Sequence, residues 1–364
     1  MICLSVLKVF CGLGLAALLL TPRPASAQTL FSAGSYKTPE TISPILAGFG
    51  SLGGNYLIPD ANRGNAGGLI WLLSQNGGPP TVFANAPDRH YRGGLFLPGS
   101  GWGSNSGNFL AVGNTGDNTT GAIDVYSSDG QMTPLISTAD TSFTTPALAP
   151  GSFGAYGGDV VVGDEANNQV IALTPGGATS VVAKDLAIQP FGITFAPDGF
   201  GAVGGDLLAS DVGSSEIDAV ASDGAAFTFA NVALKDGQAG LRQMAFSPAG
   251  FIPGYGSLLF VSVSGSDFGG GALGDVYGLD GSGNIVVSFR NNLGLTKFDP
   301  RGLTFIGNGQ LLISDSSDPI YLADASNFVP AVPEASSFTA TGIGLLGLGF
   351  LMLRAKRRAA WAKS

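Results

Sequence analysis

The sequence predicts an all-β chain: a six-bladed β-propeller closed by an N-terminal strand, with a signal peptide before it and a transmembrane helix after it. Three observations lead there. A short motif (Gly, a small polar residue, then an apolar run) occurs six times, at Gly54, Gly107, Gly158, Gly205, Gly256 and Gly309, so its starts lie 47 to 53 residues apart. The block around each motif divides into strand-like runs separated by turn residues. The sixth block lacks its last run, and the N-terminus carries a spare one.

Composition agrees with this reading. Charged residues make up 12% of the 364, about half the ~25% usual for soluble domains. Gly is abundant at 57 residues and apolar residues reach 45%, which suits many short strands joined by tight turns. Residues 28–331 hold 25 Asp and Glu against 10 Lys and Arg. An acidic body with no basic stripe excludes nucleic acid as a partner. Both cysteines, Cys3 and Cys11, precede residue 28, so the body has no means of forming disulfides or thiolate sites.

In chain order, residues 1–27 combine Lys8, an apolar run from Val9 to Leu20, and Ala25-Ser26-Ala27. This is the pattern of a secretory signal peptide, with cleavage between Ala27 and Gln28. The propeller is expected over 28–328. Thr29–Ser32 is the spare strand. First strands are expected at Ile42–Leu46, Gly94–Pro98, Pro146–Pro150, Gly192–Pro197, Met244–Pro248 and Gly302–Ile306. Second strands begin with the motif. Third strands are expected at Leu69–Leu72, Ala122–Tyr126, Gln169–Leu173, Glu216–Val220, Asp275–Leu279 and Pro319–Leu322. Fourth strands, in five blocks only, are Thr81–Phe83, Thr133–Ile136, Ser180–Val182, Phe227–Phe229 and Ile285–Phe289. Turns such as Asp129-Gly130, Asp223-Gly224 and Asp280-Gly281 between apolar runs signal hairpins, because they supply positive φ. Four hairpinned strands per block make a propeller blade, and an N-terminal strand that completes the last blade removes the open edge.

The block from Pro190-Phe191-Gly192-Ile193-Thr194-Phe195 through Gly205-Asp206-Leu207-Leu208-Ala209-Ser210-Asp211 resembles a blade of the NHL or gluconolactonase type, and Pro300–Phe305 is similar. Ala149–Gly154 followed by Gly157-Gly158-Asp159 resembles propeller repeats of exported proteins that carry a PEP-CTERM tail.

The tail itself has that form. After the propeller comes a linker, 329–337, with Val332, Pro333 and Glu334 as sorting motif. An apolar run, 338–353, follows as transmembrane helix, and then a basic segment, 354–364, in which Arg354, Lys356, Arg357 and Arg358 stop transfer. Ala335 stands where the motif usually has a second Pro. The resemblance implies export, membrane attachment through the C-terminal helix, an exosortase-type sorting enzyme, and exopolysaccharide or surface proteins as partners outside the cell.

Candidate chemistry is sparse. His90, the single histidine, is expected in a polar loop. Asn114–Thr120 is Asx-rich but lacks the spacing of a calcium loop, and reads as a turn between second and third strands. The sharper set is Asp60, Asp164, Asp211 and Asp315, each four residues beyond the first apolar residue of its motif; Gly113 and Ser262 stand at this place in the other two blocks. These carboxylates belong on one face, with Arg242 and Arg301 at matching starts of two first strands. Two readings follow. Each Asp caps a local turn, or together they hold Ca²⁺ as the gluconolactonase resemblance implies. The repeat favours capping, since a local bond is copied with its block. None of Glu40, Glu165 and Glu216 falls clearly at a first-strand start. The function expected is a displayed binding or structural module; a Ca²⁺-dependent gluconolactonase-type hydrolase is the alternative.

Overall fold

A computed structural model describes residues 28–31, 38–61, 67–235, 238–265, 273–289, 298–316 and 320–331. The signal, linker, transmembrane and basic segments, with Ala25, Ala27, Val332, Pro333, Glu334, Arg354, Lys356, Arg357 and Arg358, lie outside the described residues.

The described residues form six antiparallel sheets, each a blade. Strand β1 is Gln28–Phe31. Blade 1 is β2 (Ser43–Pro44), β3 (Tyr56–Asp60), β4 (Gly68–Leu73) and β5 (Thr81–Ala86). Blade 2 is β6 (Arg89–Phe96), β7 (Phe109–Thr115), β8 (Thr120–Tyr126) and β9 (Met132–Ala139). Blade 3 is β10 (Phe143–Leu148), β11 (Val160–Asp164), β12 (Gln169–Leu173) and β13 (Thr179–Ala183). Blade 4 is β14 (Pro190–Phe195), β15 (Leu207–Asp211), β16 (Glu216–Val220) and β17 (Ala226–Asn231). Blade 5 is β18 (Gly240–Phe246), β19 (Leu259–Ser264), β20 (Asp275–Leu279) and β21 (Ile285–Phe289). Blade 6 is β22 (Pro300–Phe305), β23 (Leu311–Asp315) and β24 (Ile320–Ala323), and β25 is Phe328–Pro330.

The ring closes as its strand count requires. β1 pairs with β24, Gln28 opposite Leu322, so the first strand of the chain is the fourth strand of the last blade. β25 was not foreseen. It continues past residue 328 and adds a fifth strand to blade 5, outside β21. The inner strands of blades 2 to 6 begin two to five residues earlier than expected, at Arg89, Phe143, Pro190, Gly240 and Pro300, and those of blades 1 and 2 differ most. In blade 1 only Ser43 and Pro44 pair regularly, with an isolated bridge from Pro39 to Asp60 before them. In blade 2 the inner strand begins at Arg89, so His90 lies in a strand opposite Asn114 and not in a polar loop. Its Nδ1 is 2.9 Å from Asn118 Oδ1. The Asx-rich turn is as expected, with Asp117 Oδ1 accepting from the Thr119 N–H at 3.1 Å.

The blades pack through two repeated devices, one on each face of the ring. The hairpin face carries the loops joining first to second and third to fourth strands. There an aromatic residue in the first loop of one blade meets the last residue of the next blade's inner strand, edge to face: Phe49 on Phe96, Phe153 on Phe195, Phe200 on Phe246, Phe251 on Phe305. Centroids are 4.7–4.9 Å apart, within the favoured range for such pairs. Trp102, 2% exposed, occupies the same loop position in blade 2.

The opposite face, where inner strands begin and second strands end, is the mouth of the central channel. A polar side chain bolts each blade to the backbone of the next, toward this face in every blade but the first, whose Ser43 lies nearer the hairpin side. Ser43 Oγ donates to Gly94 O, Thr145 Oγ1 to Phe191 O, Ser210 Oγ to Arg242 O, Ser262 Oγ to Arg301 O and Ser314 Oγ to Pro39 O, all at 2.5–2.8 Å. Asn114 does the same work between blades 2 and 3, accepting from the Phe143 N–H at 3.1 Å. A buried hydroxyl needs a partner, and each finds it on the neighbouring blade. The pairing also corrects the block alignment. Ser262 matches Ser210 and Ser314, the residues before the terminal Asp, and not the Asp itself.

Candidate functional site

The four repeated Asp residues are clamps. Each accepts a hydrogen bond from the backbone N–H just ahead of its own blade's inner strand: Asp60 from Thr38 at 2.8 Å, Asp164 from Ser142 at 2.9 Å, Asp211 from Gln189 at 3.2 Å and Asp315 from Asp299 at 3.1 Å. Their second oxygens or further lone pairs are used locally as well. Trp71 Nε1 donates to Asp60, Asn167 and Gln169 side-chain amides donate to Asp164, and the Gly213 N–H donates to Asp211. In blade 2 the place belongs to Gly113, where a Cβ would stand 2.0 Å from His90 O. The clamp is local to each blade, which is why the repeat copies it.

What faces the channel comes from the inner strands. Those of blades 2 to 6 carry a bulge near the start, where the register against the second strand shifts: Tyr91/Gly93, Phe143/Pro146, Pro190/Ile193, Leu241/Met244 and Pro300/Leu303. A bulge takes a residue out of the ladder and re-aims its side chain. The first residue so released is Arg92, Thr144, Phe191, Arg242 or Arg301, and in blades 3 to 6 a second follows it, Thr145, Gly192, Gln243 or Gly302. In blade 1 the corresponding stretch begins at Glu40, between the Pro39 bridge and β2. Glu40 therefore lies three residues ahead of β2, at the place that Arg92 and Arg301 hold in their blades.

These side chains meet one another. Arg92 of blade 2 lies over the Phe191 ring of blade 4 at 5.8 Å. Blade 3 stands between them, so the contact is made across the channel. Arg242 lies over the same ring at 5.0 Å, and a desolvated guanidinium on an aromatic face is worth about 2 kcal/mol. Arg92 also pairs with Glu165 at 2.5 Å, and Glu165 accepts from Ser142 Oγ at 3.0 Å. Arg301 donates to Asp299 from Nε at 3.0 Å and from its second terminal nitrogen at 2.5 Å, with Glu40 Oε1 3.9 Å away. Burial alone would raise the Asp299 pKa. The Arg301 charge, with hydroxyls of Ser316 and Ser264 donating, outweighs it and holds the carboxyl below the usual range. Glu40, Arg92, Arg242 and Arg301 are all less than 10% exposed. The mouth thus holds two guanidinium groups over one phenyl ring and a third beside two carboxylates.

Sequence reasoning reached Arg242 and Arg301 but not Arg92, Phe191, Glu40 or the serine bolts. The bulge hides them, because a period of two assigns the released residue to the wrong side. The serines were findable: Ser210, Ser262 and Ser314 recur at one spacing of 52 residues.

The Ca²⁺ that the gluconolactonase resemblance implies needs several converging oxygen ligands. Among the described residues no three His, Cys, Asp or Glu converge. Of the bulge residues only Glu40 is a carboxylate, and Arg301 stands beside it. The residues present do not fit the ion.

No family model matches the sequence, and no curated protein matches it. Solved structures do. A gluconolactonase from Xanthomonas campestris aligns with TM-score 0.57 at 17% identity, over 83% of this chain and 91% of that one. Regucalcin from Agrobacterium tumefaciens, a calcium-binding protein, aligns at 0.55 and 14%, over 82% and 94%. A streptogramin B lyase aligns at 0.51 and 13%, over 82% and 97%. At these identities the likeness is one of fold: the chain has the propeller these proteins share. Among the described residues no helix is long and apolar enough to cross a membrane.

Proposed function

We propose that this chain is an exported, surface-sorted propeller that works as a binding or structural module in the cell envelope or extracellular matrix. The observation that carries the non-hydrolytic part is the use made of the four Asp carboxylates. Each is committed to backbone amides of its own blade, and the channel positions hold Arg92, Phe191, Arg242 and Arg301. Export is supported by the sequence of residues 1–27, with cleavage before Gln28. Sorting is supported by Val332-Pro333-Glu334, the apolar run 338–353 and the basic residues after it, and implies an exosortase-type enzyme as partner. Exopolysaccharide or surface proteins are the partners such a location offers.

The test is thermal unfolding of the full chain in EDTA and then in excess Ca²⁺, alongside a lactone-hydrolysis assay. A ligand that binds only the folded state raises the melting temperature by mass action. No shift and no turnover are expected. A Ca²⁺-dependent rise together with lactone hydrolysis, both lost in Glu40→Gln, would replace this reading with the hydrolase.

A further inference from the structure

We infer that the propeller stands on the membrane with its hairpin face toward the lipid and its channel mouth facing away. The inference rests on the reading of 338–353 as a membrane segment, and it adds which surface of the ring a partner outside the membrane can reach.

The exit point of the chain decides it. Twist of about 20–25° per strand lays the outermost strands steeply across a blade, so position is read from contacts and register. β25 runs antiparallel to β21, with Phe328 opposite Phe289 and Pro330 opposite Val287. The Ala331 N–H then bonds to Val286 O, next to the hairpin turn Asp280–Asn284 from which β21 starts. Phe328 packs against Phe251 at 5.9 Å and Phe260 at 4.9 Å. Phe251 belongs to a hairpin-face loop, and Phe260 lies at the hairpin-face end of its strand. The last described residue therefore leaves the rim on the hairpin side.

The other end agrees independently. Gln28 pairs with Leu322, beside Ala323 where β24 runs out at the hairpin face, whereas Phe31 pairs further toward the mouth. Residue 28 and residue 331 emerge on one face, from the outer rims of adjacent blades. An anchor at either terminus draws the same face to the bilayer.

The leash is short. Residues 332–337 separate the rim from the apolar run, and a fully extended chain covers at most about 3.6 Å per residue, roughly 20 Å in all. A blade whose strands hold five or six residues is itself about 17–20 Å deep. To press the mouth on the lipid, the leash would be used up climbing the rim.

Charge completes the picture. The loops of the hairpin face carry Asp129, Asp159, Asp198, Asp206, Asp223 and Asp280, and no Lys or Arg. That face gains nothing from an anionic headgroup layer, which attracts basic segments.

The test uses full chain in liposomes of phosphatidylcholine with a headgroup-quencher lipid. Single cysteines are introduced in a Cys3→Ser/Cys11→Ser background, Ser104→Cys and Ser152→Cys on the hairpin face, Thr119→Cys and Ala166→Cys at mouth-face turns, and labelled with a quenchable fluorophore. All four native side chains are exposed. Severalfold stronger quenching of the two hairpin-face labels is expected. Equal quenching, or stronger quenching at the mouth, overturns the orientation. Alkaline extraction is run in parallel: release of the chain from the vesicles overturns the membrane reading, and the orientation with it, whatever the quenching shows.

Discussion

Phe200 and Phe246 meet edge to face, 4.7 Å between centroids at 80°, one from a loop of blade 4 and the other from the end of the inner strand of blade 5. Phe200 is 5% exposed and belongs to the cluster that joins the two blades. Truncation of a buried Phe to Ala costs about 3–5 kcal/mol through lost transfer and the cavity left. Phe200→Ala is expected to fall near the lower end, because its loop can relax. The double variant with Phe246→Ala should show a coupling of about 0.5–1.5 kcal/mol, the contribution of the pair beyond area. Urea unfolding of the four-member cycle measures it, and additive effects would deny the clasp its part in joining blades.

At the mouth, Arg301 joins two carboxylates of the first and last blades. Arg301→Met should cost about 3–5 kcal/mol, because it leaves the buried Glu40 and the half-buried Asp299 without their cation. Asp299→Asn added to it should recover part of the loss. Chemical denaturation reads both, and no recovery would locate the cost in packing alone.

The pH dependence of two carboxylates runs in opposite directions. The folded pKa of Asp299 is depressed, so its contribution is present above the ordinary carboxylate value of about 4 and is lost as pH falls through the folded value. Asp299→Asn should lower the melting temperature at pH 7 and converge on the parent toward pH 3. The Asp275 pKa is raised, by burial first, against the bond and charge of Lys235 that lower it. Its ionised form costs stability above the folded pKa, and the cost vanishes below about pH 4. The deficit of Asp275→Asn should therefore be smaller at pH 7 than at pH 4. Melting temperatures across pH 3–8 decide both signs.

Removing β1 leaves β24 as a bare edge at the seam. A chain lacking residues 28–31 should unfold at lower temperature and associate, since an unpaired strand in an otherwise closed array is a template for another chain. Calorimetry and size-exclusion chromatography detect the two effects, and an unchanged monomer would mean that the seam is held elsewhere.

Much of this architecture was legible in the sequence because it is repeated. The Gly-polar motif located every second strand, and Asp-Gly turns located hairpins. The count of runs also placed the first strand of the chain in the last blade. Asp60, Asp164, Asp211 and Asp315 read in the sequence as caps of local turns, and Asp211 does accept from the Gly213 N–H two residues on; the bond common to all four reaches the backbone ahead of the inner strand, 16 to 22 residues away, which local logic does not give. The mouth was less legible for a geometric reason. Alternation along a strand tells which residues share a face only while the register is regular. The bulges break it just where Arg92, Phe191 and Arg242 turn into the channel, and Glu40 sits beyond the two residues of β2 that pair regularly. β25 was invisible because Phe328-Val329-Pro330 has no counterpart in the other blocks.

The pairing of β1 with β24 also sets an order of events. Gln28–Phe31 is among the first segments made, and Ile320–Ala323 is nearly the last. While the chain is being synthesised, five blades can assemble behind one another but the ring stays open. β1 must wait, unpaired, for a partner that is not yet there. Contacts so distant in sequence form slowly. Closure is therefore a late step that follows synthesis of the whole body, and the interval before it is when the unpaired strands are most exposed to capture by proteases or by their own neighbours.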